Sequence, residues 1–242
     1  MRRFFSRLLM ILISYIFTLA NGARISHQVR LDPLTGESLP DGHNGFPVWA
    51  ELNFHQCGNC PFDPAARAGC PAAEKISPLT ELAHALVSYD QIEVEIVTHQ
   101  RRIIQATTVQ RAMSALVGLE MAASGCPPLA YFRPMARFHL PLATEEETAY
   151  RAVSMYLSAQ YFAHQKGLQP DLGLEGLKKI YEQLQLVNRA FVARLRAASD
   201  KDAAVNALVL LDMFAKGVPY TIDESLQQFA GLFSAYLSPA AE

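Results

Sequence analysis

The stretch SYIFTLANGARISHQVRLD, residues 14–32, decides how the chain begins to fold. Apolar side chains recur on one side of the chain along 15–19 and again along 25–31, with the two-residue period of a half-buried β-strand. Asn21-Gly22, between the two runs, is a strong signal for a two-residue hairpin turn. The stretch therefore predicts an antiparallel hairpin.

Residues 1–22 also have the features of a signal peptide, with a basic start, an apolar stretch from Leu8 to Leu19 and small residues that suit cleavage after Gly22. The apolar run is too short and too interrupted for a transmembrane helix. Because a signal peptide needs no partner strand after it, we favour the hairpin. The preferred interpretation is a cytoplasmic protein with a tail at 1–9, and the alternative is an exported protein.

Three further strands are predicted. Apolar and polar residues alternate in VWAELNF (48–54), which predicts a third strand. QIEVEIVT (91–98) and IIQATT (103–108) are predicted as two strands that a turn at HQRR connects. A short helix is predicted from Pro78 to Ser88. This gives a sheet of about five strands, which is antiparallel because its connections are hairpins.

From Thr108 onward the apolar period becomes helical, and about five helices are predicted. The first runs from Thr108 to a C-cap at Gly125, and the second from the capping box Thr144/Glu147 to Gly167. The third runs from a cap at Asp171 to about Ala198, and the fourth from Asp200 or Asp202 to Lys216. The last begins at a second capping box, Thr221/Glu224, and ends at about Leu237. The predicted class is α+β. Residues 10–242 form one domain, with the sheet and a cysteine loop in 10–107 and a helical bundle in 108–242.

The composition excludes several classes of function. Half of the 242 residues are apolar, which allows a large core, and the net charge of -2 argues against broad nucleic-acid binding. The basic run Arg189, Arg194 and Arg196 is interpreted as a solvated helix face. The chain has no Walker loop, dinucleotide-binding glycine motif, zinc-protease motif or nucleophile elbow. A standard nucleotide site is therefore disfavoured.

Three of the four cysteines stand in HQCGNCPFDPAARAGCP, residues 55–71. Cys57 and Cys60 form a C-x2-C pair, whose spacing lets both sulfurs reach one metal. Cys70 closes the stretch, and Cys126 directly follows the end of a predicted helix. Four thiols are the number that a tetrahedral Zn²⁺ or a cubane cluster needs. The sequence predicts a metal site of these four cysteines.

An iron–sulfur cluster is preferred over zinc. Structural zinc sites usually have two short knuckles, whereas here one pair is joined by two single cysteines. Proline follows Cys60, Cys70 and Cys126, and the ferredoxin pattern also ends in Cys-Pro. His55, two residues before the first cysteine, could replace a thiolate or hydrogen-bond to one.

Other interpretations of the cysteines stay open. One is a structural zinc site in a helical interaction module that binds an unidentified protein partner, and another is a thiol-dependent oxidoreductase that uses Cys57 and Cys60. A third is a disulfide staple. Cys70 and Cys126 would be ordinary buried residues in the plainest interpretation. The sequence does not decide whether the protein is an enzyme.

Several motifs resemble an uncharacterised bacterial family, a domain of unknown function, from about Tyr15 to about Phe229. They are YIFTLANG…VRLDPLTGESLP, LNFHQCGNCPFDP…CP, SYDQIEVEIVT, MAASGCPPL, PMARFHLPLATEEET and NALVLLDMFA. The resemblance implies that Tyr15 to Asp32 is the first hairpin of the domain, from which MRRFFSRLL departs as an extra N-terminal piece. It also implies that the four cysteines, Arg137 and His139 belong to the pattern of the family, and it brings no established activity. Beside a cluster, Arg137 and His139 would tune the reduction potential.

Overall fold

A computed structural model describes residues 10–40, 45–84, 86–198, 205–207, 209, 211–213, 215 and 226–237. The predicted hairpin is present, as strand β1 (Ile11–Thr18) and antiparallel strand β2 (Arg24–Leu31). The predicted tail, 1–9, lies outside the described residues.

The turn of this hairpin is longer than predicted. The Gly22 N–H donates to the Leu19 carbonyl and the Leu19 N–H donates to the Ala23 carbonyl, both at 2.9 Å, so the loop has three residues. Gly22 has a φ of 80°, whereas Asn21 is not in the left-handed region. A type I turn followed by one left-handed glycine therefore replaces the predicted two-residue turn.

The sheet has four strands, in the order β2-β1-β3-β4, and every neighbouring pair is antiparallel. Strand β3 (Gln91–Val97) and strand β4 (Arg102–Thr108) form the predicted second hairpin. Phe17 lies opposite Val94 at the centre, and both are fully buried. The face of β1 that includes Phe17 supports the core, and the class α+β is confirmed.

The prediction of a strand at 48–54 is wrong. Val48–Ala50 form a 3-10 turn, and Glu51 makes only an isolated bridge to Gly69. The alternation arises because Ala50 and Leu52 are buried while Trp49, Glu51 and Asn53 are not. The backbone groups of Ala50 and Leu52 pair with those of Cys70 and Ala68, and not with a strand of the sheet. The sheet therefore has four strands instead of the predicted five.

Helix α1 (Pro71–His84) begins seven residues before the predicted start at Pro78. Proline is favoured in the first turn of a helix but not in its interior, so only one of the two prolines here meets that rule. Pro71 takes the first position, and Pro78 lies inside the helix. The next helix, α2 (Val109–Ala123), has the predicted C-terminal glycine, because Gly125 has a φ of 82°.

Three more helices follow. A 3-10 segment, Pro127–Phe132, leads into the short helix α3 (Arg133–Arg137). Helix α4 (Glu145–Gln165) has the predicted capping box at its start. Helix α5 (Glu175–Ala198) begins four residues after Asp171, whose carboxylate accepts a 2.7 Å hydrogen bond from the Gly176 N–H in the first turn.

Nearer the C-terminus, the described residues between 205 and 215 are helical, which agrees with a helix in the predicted place. A 3-10 segment, Ala230–Phe233, precedes a short helix, Ser234–Leu237. The second predicted capping box, Thr221/Glu224, lies outside the described residues. The helices differ in number and length from the predicted bundle of about five.

Helix α2 lies at the centre of the core, and most of its side chains are buried. One continuous apolar cluster includes β1, α1, α2 and α5 and reaches Ala215. Among the described residues, no helix has both the length and the apolar character needed to cross a membrane.

We expect Thr144→Ala to lower the free energy of unfolding by about 1 kcal/mol, because the Thr144 hydroxyl accepts the Glu147 N–H at the start of α4. Ser158→Ala, in the exposed middle of the same helix, is the control and should be neutral or slightly stabilising. Urea titrations of the two variants measure the difference. Equal losses would contradict a capping contribution.

Candidate functional site

The cysteine loop, residues 51–69, is closed at its base by two backbone hydrogen bonds. The Leu52 N–H donates to the Ala68 carbonyl at 2.7 Å, and the Cys70 N–H donates to the Ala50 carbonyl at 2.8 Å. Within the loop, a 3.0 Å bond from the Cys60 N–H to the Cys57 carbonyl folds the C-x2-C pair into a turn. The loop thus returns the chain to Cys70 after presenting Cys57 and Cys60.

Two of the cysteines stand at helix starts. Cys70 is 6% exposed and directly precedes Pro71, the first residue of α1, and Cys126 is 9% exposed and directly precedes the 3-10 segment at Pro127. Proline is favoured at such a start. Two of the three Cys-Pro pairs therefore have a local structural cause that does not require iron–sulfur ligation.

Burial raises the pKa of Cys57 and of Cys126 to about 12, and it raises that of Cys70 as well. Negative charge on the neighbouring thiols raises these pKa values further: Cys70 and Cys60 act on Cys57, and all three act on Cys126. The structure therefore brings the four predicted ligands into one electrostatic neighbourhood. Within the described ranges, no three His, Cys, Asp or Glu side chains are grouped as a ready-made metal site.

Arg194, on α5, is the charged group of this neighbourhood and is only 1% exposed. Its Nη1 donates to the carbonyl oxygens of Trp49 and Glu51, at 2.5 and 2.7 Å. Its guanidinium also lies 5.9 Å from the ring centre of Phe54 and 5.6 Å from that of Phe191. Arg194 therefore fixes the base of the cysteine loop to α5.

Arg194 has no carboxylate partner among the residues that the structure describes, and its buried Nε has no hydrogen-bond acceptor there. Burial lowers its pKa, whereas the negative charges of Cys70, Cys57 and Cys60 raise it. An arginine keeps its proton at neutral pH even when buried. Among the described residues, the ionisable groups whose charge acts on this cation are thus the cysteines, which would compensate it only as thiolates.

The interpretation of Arg189, Arg194 and Arg196 as a solvated helix face is wrong for Arg194, although the other two are exposed. The missed signal is helical spacing. Arg194 follows Phe191 by three residues and Val187 by seven, and both of these are fully buried. A residue at that spacing lies on the buried face, whatever its charge.

The structure does not place His55 or Arg137 against the thiols. His55 is exposed, has a φ of 46° and packs edge-on against the Phe54 ring at 5.0 Å. Arg137 donates from Nε to the Pro33 carbonyl at 3.2 Å, and its guanidinium lies over the ring of Phe138. It therefore holds the loop after β2 in place.

His139 pairs with the sheet instead. Its Nε2 lies 2.5 Å from the Tyr15 hydroxyl. Burial, with a smaller effect of the Arg151 charge, lowers the pKa of His139 to about 3, and burial raises the pKa of Tyr15. The imidazole is therefore neutral at pH 7, and the tyrosine donates while Nε2 accepts. His139 also lines a cavity that no cysteine of the described residues lines.

The family model of a domain of unknown function, DUF6901, matches residues 13–234. No curated protein and no solved structure matches the chain.

We expect Arg194→Met to lower the free energy of unfolding by about 2–4 kcal/mol, because it leaves the carbonyls of Trp49 and Glu51 buried without a donor. Arg196→Met, two residues along on the exposed face, is the matched control and should change stability by less than about 0.5 kcal/mol. Denaturant unfolding measures both. A loss of similar size in the two variants would contradict the anchoring role of Arg194.

The neutral state of His139 predicts an acid-sensitive contribution to stability. In the folded protein its pKa lies near 3, below the ordinary value of 6.5, so only the unfolded chain binds a proton between these values. The contribution of the neutral His139 to the free energy of unfolding is complete above pH 6.5. Below pH 6.5 this contribution falls by up to about 1.4 kcal/mol per pH unit.

The variant His139→Gln keeps an acceptor for Tyr15 and should lose this pH dependence between pH 6.5 and 4.5. The control His99→Gln, at an exposed hairpin tip, should keep the wild-type slope. Unfolding free energies across that range test the assignment. Parallel curves for wild type and His139→Gln would show that His139 is not held neutral.

Proposed function

The chain belongs to the DUF6901 family, and we propose from its own residues that Cys57, Cys60, Cys70 and Cys126 bind a metal centre, by preference an iron–sulfur cluster with a role in redox sensing or electron transfer. The observation that carries the proposal is the buried guanidinium of Arg194, which has thiols and no carboxylate beside it in the described part of the chain.

The charge of such a centre suits Arg194. A doubly charged zinc ion or cubane core with four thiolates has a net negative charge. Burying a net charge costs several kcal/mol unless an opposite charge compensates it. In the metal-free protein the Cys57 thiol is protonated, and Arg194 has carbonyl dipoles and two aromatic rings around it but no anion among the described residues. Thiolates bound to a metal would compensate the cation, and the cation would compensate them.

The four cysteines and Arg194 would contribute to the metal centre in different ways. Cys70 and Cys126 are fixed at helix starts, whereas Cys57 and Cys60 lie half-buried in a turn that can close onto a metal. The backbone N–H groups of Ala73 and Ala72 favour the thiolate of Cys70. A fixed positive charge near a cluster favours its reduced form, so Arg194 takes the tuning role that the sequence suggested for Arg137 and His139.

A cluster fits the described arrangement better than a single ion, because it does not require its ligands to meet at one point. Four-coordinate Zn²⁺ holds each sulfur about 2.3 Å from one point, and no three candidate ligands of the described residues are grouped in that way. In a cluster each iron takes one cysteine, so the sulfurs stay farther apart.

The thiol-dependent oxidoreductase is a weaker alternative. A nucleophilic cysteine needs a lowered pKa, since the thiolate is the reactive form. The pKa of Cys57 is instead raised to about 12 by burial and by its neighbours Cys70 and Cys60. This environment suits a ligand that loses its proton to a metal.

A structural zinc site in an interaction module is the second candidate, and the surface of α4 supports it. Tyr161 and Phe162 are 59% and 63% exposed near the end of that helix, and Leu168 and Leu172 beyond it are 60% and 71% exposed. Exposed apolar residues grouped in this way are typical of protein contact surfaces. The metal content separates this candidate from the first.

A cytoplasmic location fits the preferred function. All four cysteines are free, as expected in a reducing compartment. Export with cleavage after Gly22 would remove β1, the inner strand that pairs with both β2 and β3. We therefore favour the cytoplasm over export.

Anaerobic purification after growth with iron should give a brown protein whose iron content is near cluster stoichiometry. Cys126→Ser and Cys57→Ser should each lose most of that iron, because both sulfurs belong to one centre. Arg137→Gln, which removes a cation that contacts the Pro33 carbonyl instead of a thiol, is the control and should keep the iron. Absorption spectra and metal analysis measure the outcome.

Each result decides between the candidates. A colourless protein with one zinc per chain would replace the cluster by the structural site. Full metal retention in Cys126→Ser would remove that cysteine from the site. A wild-type protein that takes up neither metal would overturn the proposal as a whole.

A further inference from the structure

A cavity of about 210 Å³ lies among α2, α3, α4 and α5, apart from the cysteines. Its wall is mainly apolar, with residues such as Ala115, Leu119 and Leu184. Arg111, which is exposed, also lines it and so marks a side that meets solvent. An apolar cavity of ~150 Å³ admits a molecule as large as benzene. In proportion, this one admits about eight to ten non-hydrogen atoms.

The charges in the wall have one sign. Arg111 and Arg151 line the cavity, and no Asp or Glu of the described residues does. Arg151 uses a single nitrogen, Nη2, for its bonds to the carbonyls of Met135 and Phe138, at 3.0 and 3.1 Å. Its other nitrogens make no hydrogen bond to another described residue. The nearby carboxylate of Glu147 accepts the Thr144 N–H in the capping box.

His139 adds a donor on the same wall. Because its Nε2 accepts the hydrogen bond of Tyr15 and the ring is neutral, the proton of the imidazole is on Nδ1. Thr148 precedes Arg151 by three residues on α4, on the same side of that helix, and also lines the cavity. Donors therefore converge at this end of the cavity.

Asn188 supplies a donor elsewhere in the cavity. It is 1% exposed, and its Nδ2 has no acceptor among the described residues. A buried donor without a partner costs about 1–3 kcal/mol. Asn188 lies seven residues after Tyr181 on α5, and therefore about 10 Å along the helix axis. Both residues line the cavity, and Tyr181 is close enough to Arg151 for their charges to interact, so the polar groups of the cavity stand at two separated places.

We propose that the cavity binds a small, mainly apolar monocarboxylic acid, with the carboxylate held by Arg151 and His139 and a second acceptor atom near Asn188. The two arginines compensate the carboxylate, the wall covers the apolar body, and the ligand satisfies the unpartnered amide. This site does not depend on the cysteines or on a metal.

Calorimetric titration of the full chain tests the proposal with benzoate, hexanoate, 4-hydroxybenzoate and the neutral analogue 4-hydroxybenzyl alcohol. At least one acid should bind with a Kd below ~10 mM, and 4-hydroxybenzoate should bind at least about tenfold more tightly than the alcohol. Failure of all three acids to bind, or equal binding of 4-hydroxybenzoate and the alcohol, would overturn the proposal.

Variants locate the binding. Ala115→Phe fills the cavity and should abolish it, and Leu184→Trp tests the same point from α5 in case the first variant does not fold. Ala197→Phe, on the exposed surface of α5, is the control and should bind like wild type. Asn188→Leu should remove any preference for 4-hydroxybenzoate over benzoate. Unchanged binding in the folded filled-cavity variants would place the acid elsewhere and refute the assignment.

Discussion

The guanidinium of Arg194 connects the two halves of the molecule, because it donates to backbone carbonyls on both sides of Ala50 from a helix more than 140 residues later in the chain. The loop that follows has no strand or helix to hold it, and two backbone bonds close its base. Backbone carbonyls that are buried must be paired, and here a charged side chain pairs them. The position of Cys57 and Cys60 relative to Cys70 therefore depends on a residue of α5.

The same residue makes the metal-free protein electrostatically incomplete. A buried cation lies near buried and half-buried cysteines, and both the cation and any thiolate formed there would be more stable beside the opposite charge. Deprotonation of the thiols alone is opposed by burial and by their mutual repulsion. A metal core removes that repulsion, so thiolate formation, metal binding and compensation of Arg194 are expected as one event. This reasoning favours a metal over a reactive thiol pair.

Local sequence patterns correctly predicted those elements that depend on neighbouring residues in the chain. Alternation fixed the strands of both hairpins, and hydrogen bonding of Thr144 and Glu147 at a helix start fixed where α4 begins. The segment 48–54 alternates because of its packing against the core, but strand formation also needs a neighbouring edge, which a short pattern cannot reveal. The sequence places three cysteines in residues 55–71, and their joining with Cys126 in one metal site stays a prediction. The burial of Arg194 follows from its helical spacing from Phe191 and Val187, which its charge conceals in a reading of the sequence by composition.

The two proposed sites share parts of the fold. The 3-10 segment Pro127–Phe132 begins directly after Cys126, and both Leu129 and Phe132 line the cavity. Helix α5 carries Arg194 at the cysteines and, six residues earlier, Asn188 at the cavity. If metal binding changed the position of Cys126, the part of the cavity wall formed by Leu129 and Phe132 would move with it. If the metal alters the affinity for an acid in this way, thermodynamic linkage requires that the acid alter the affinity for the metal by the same factor.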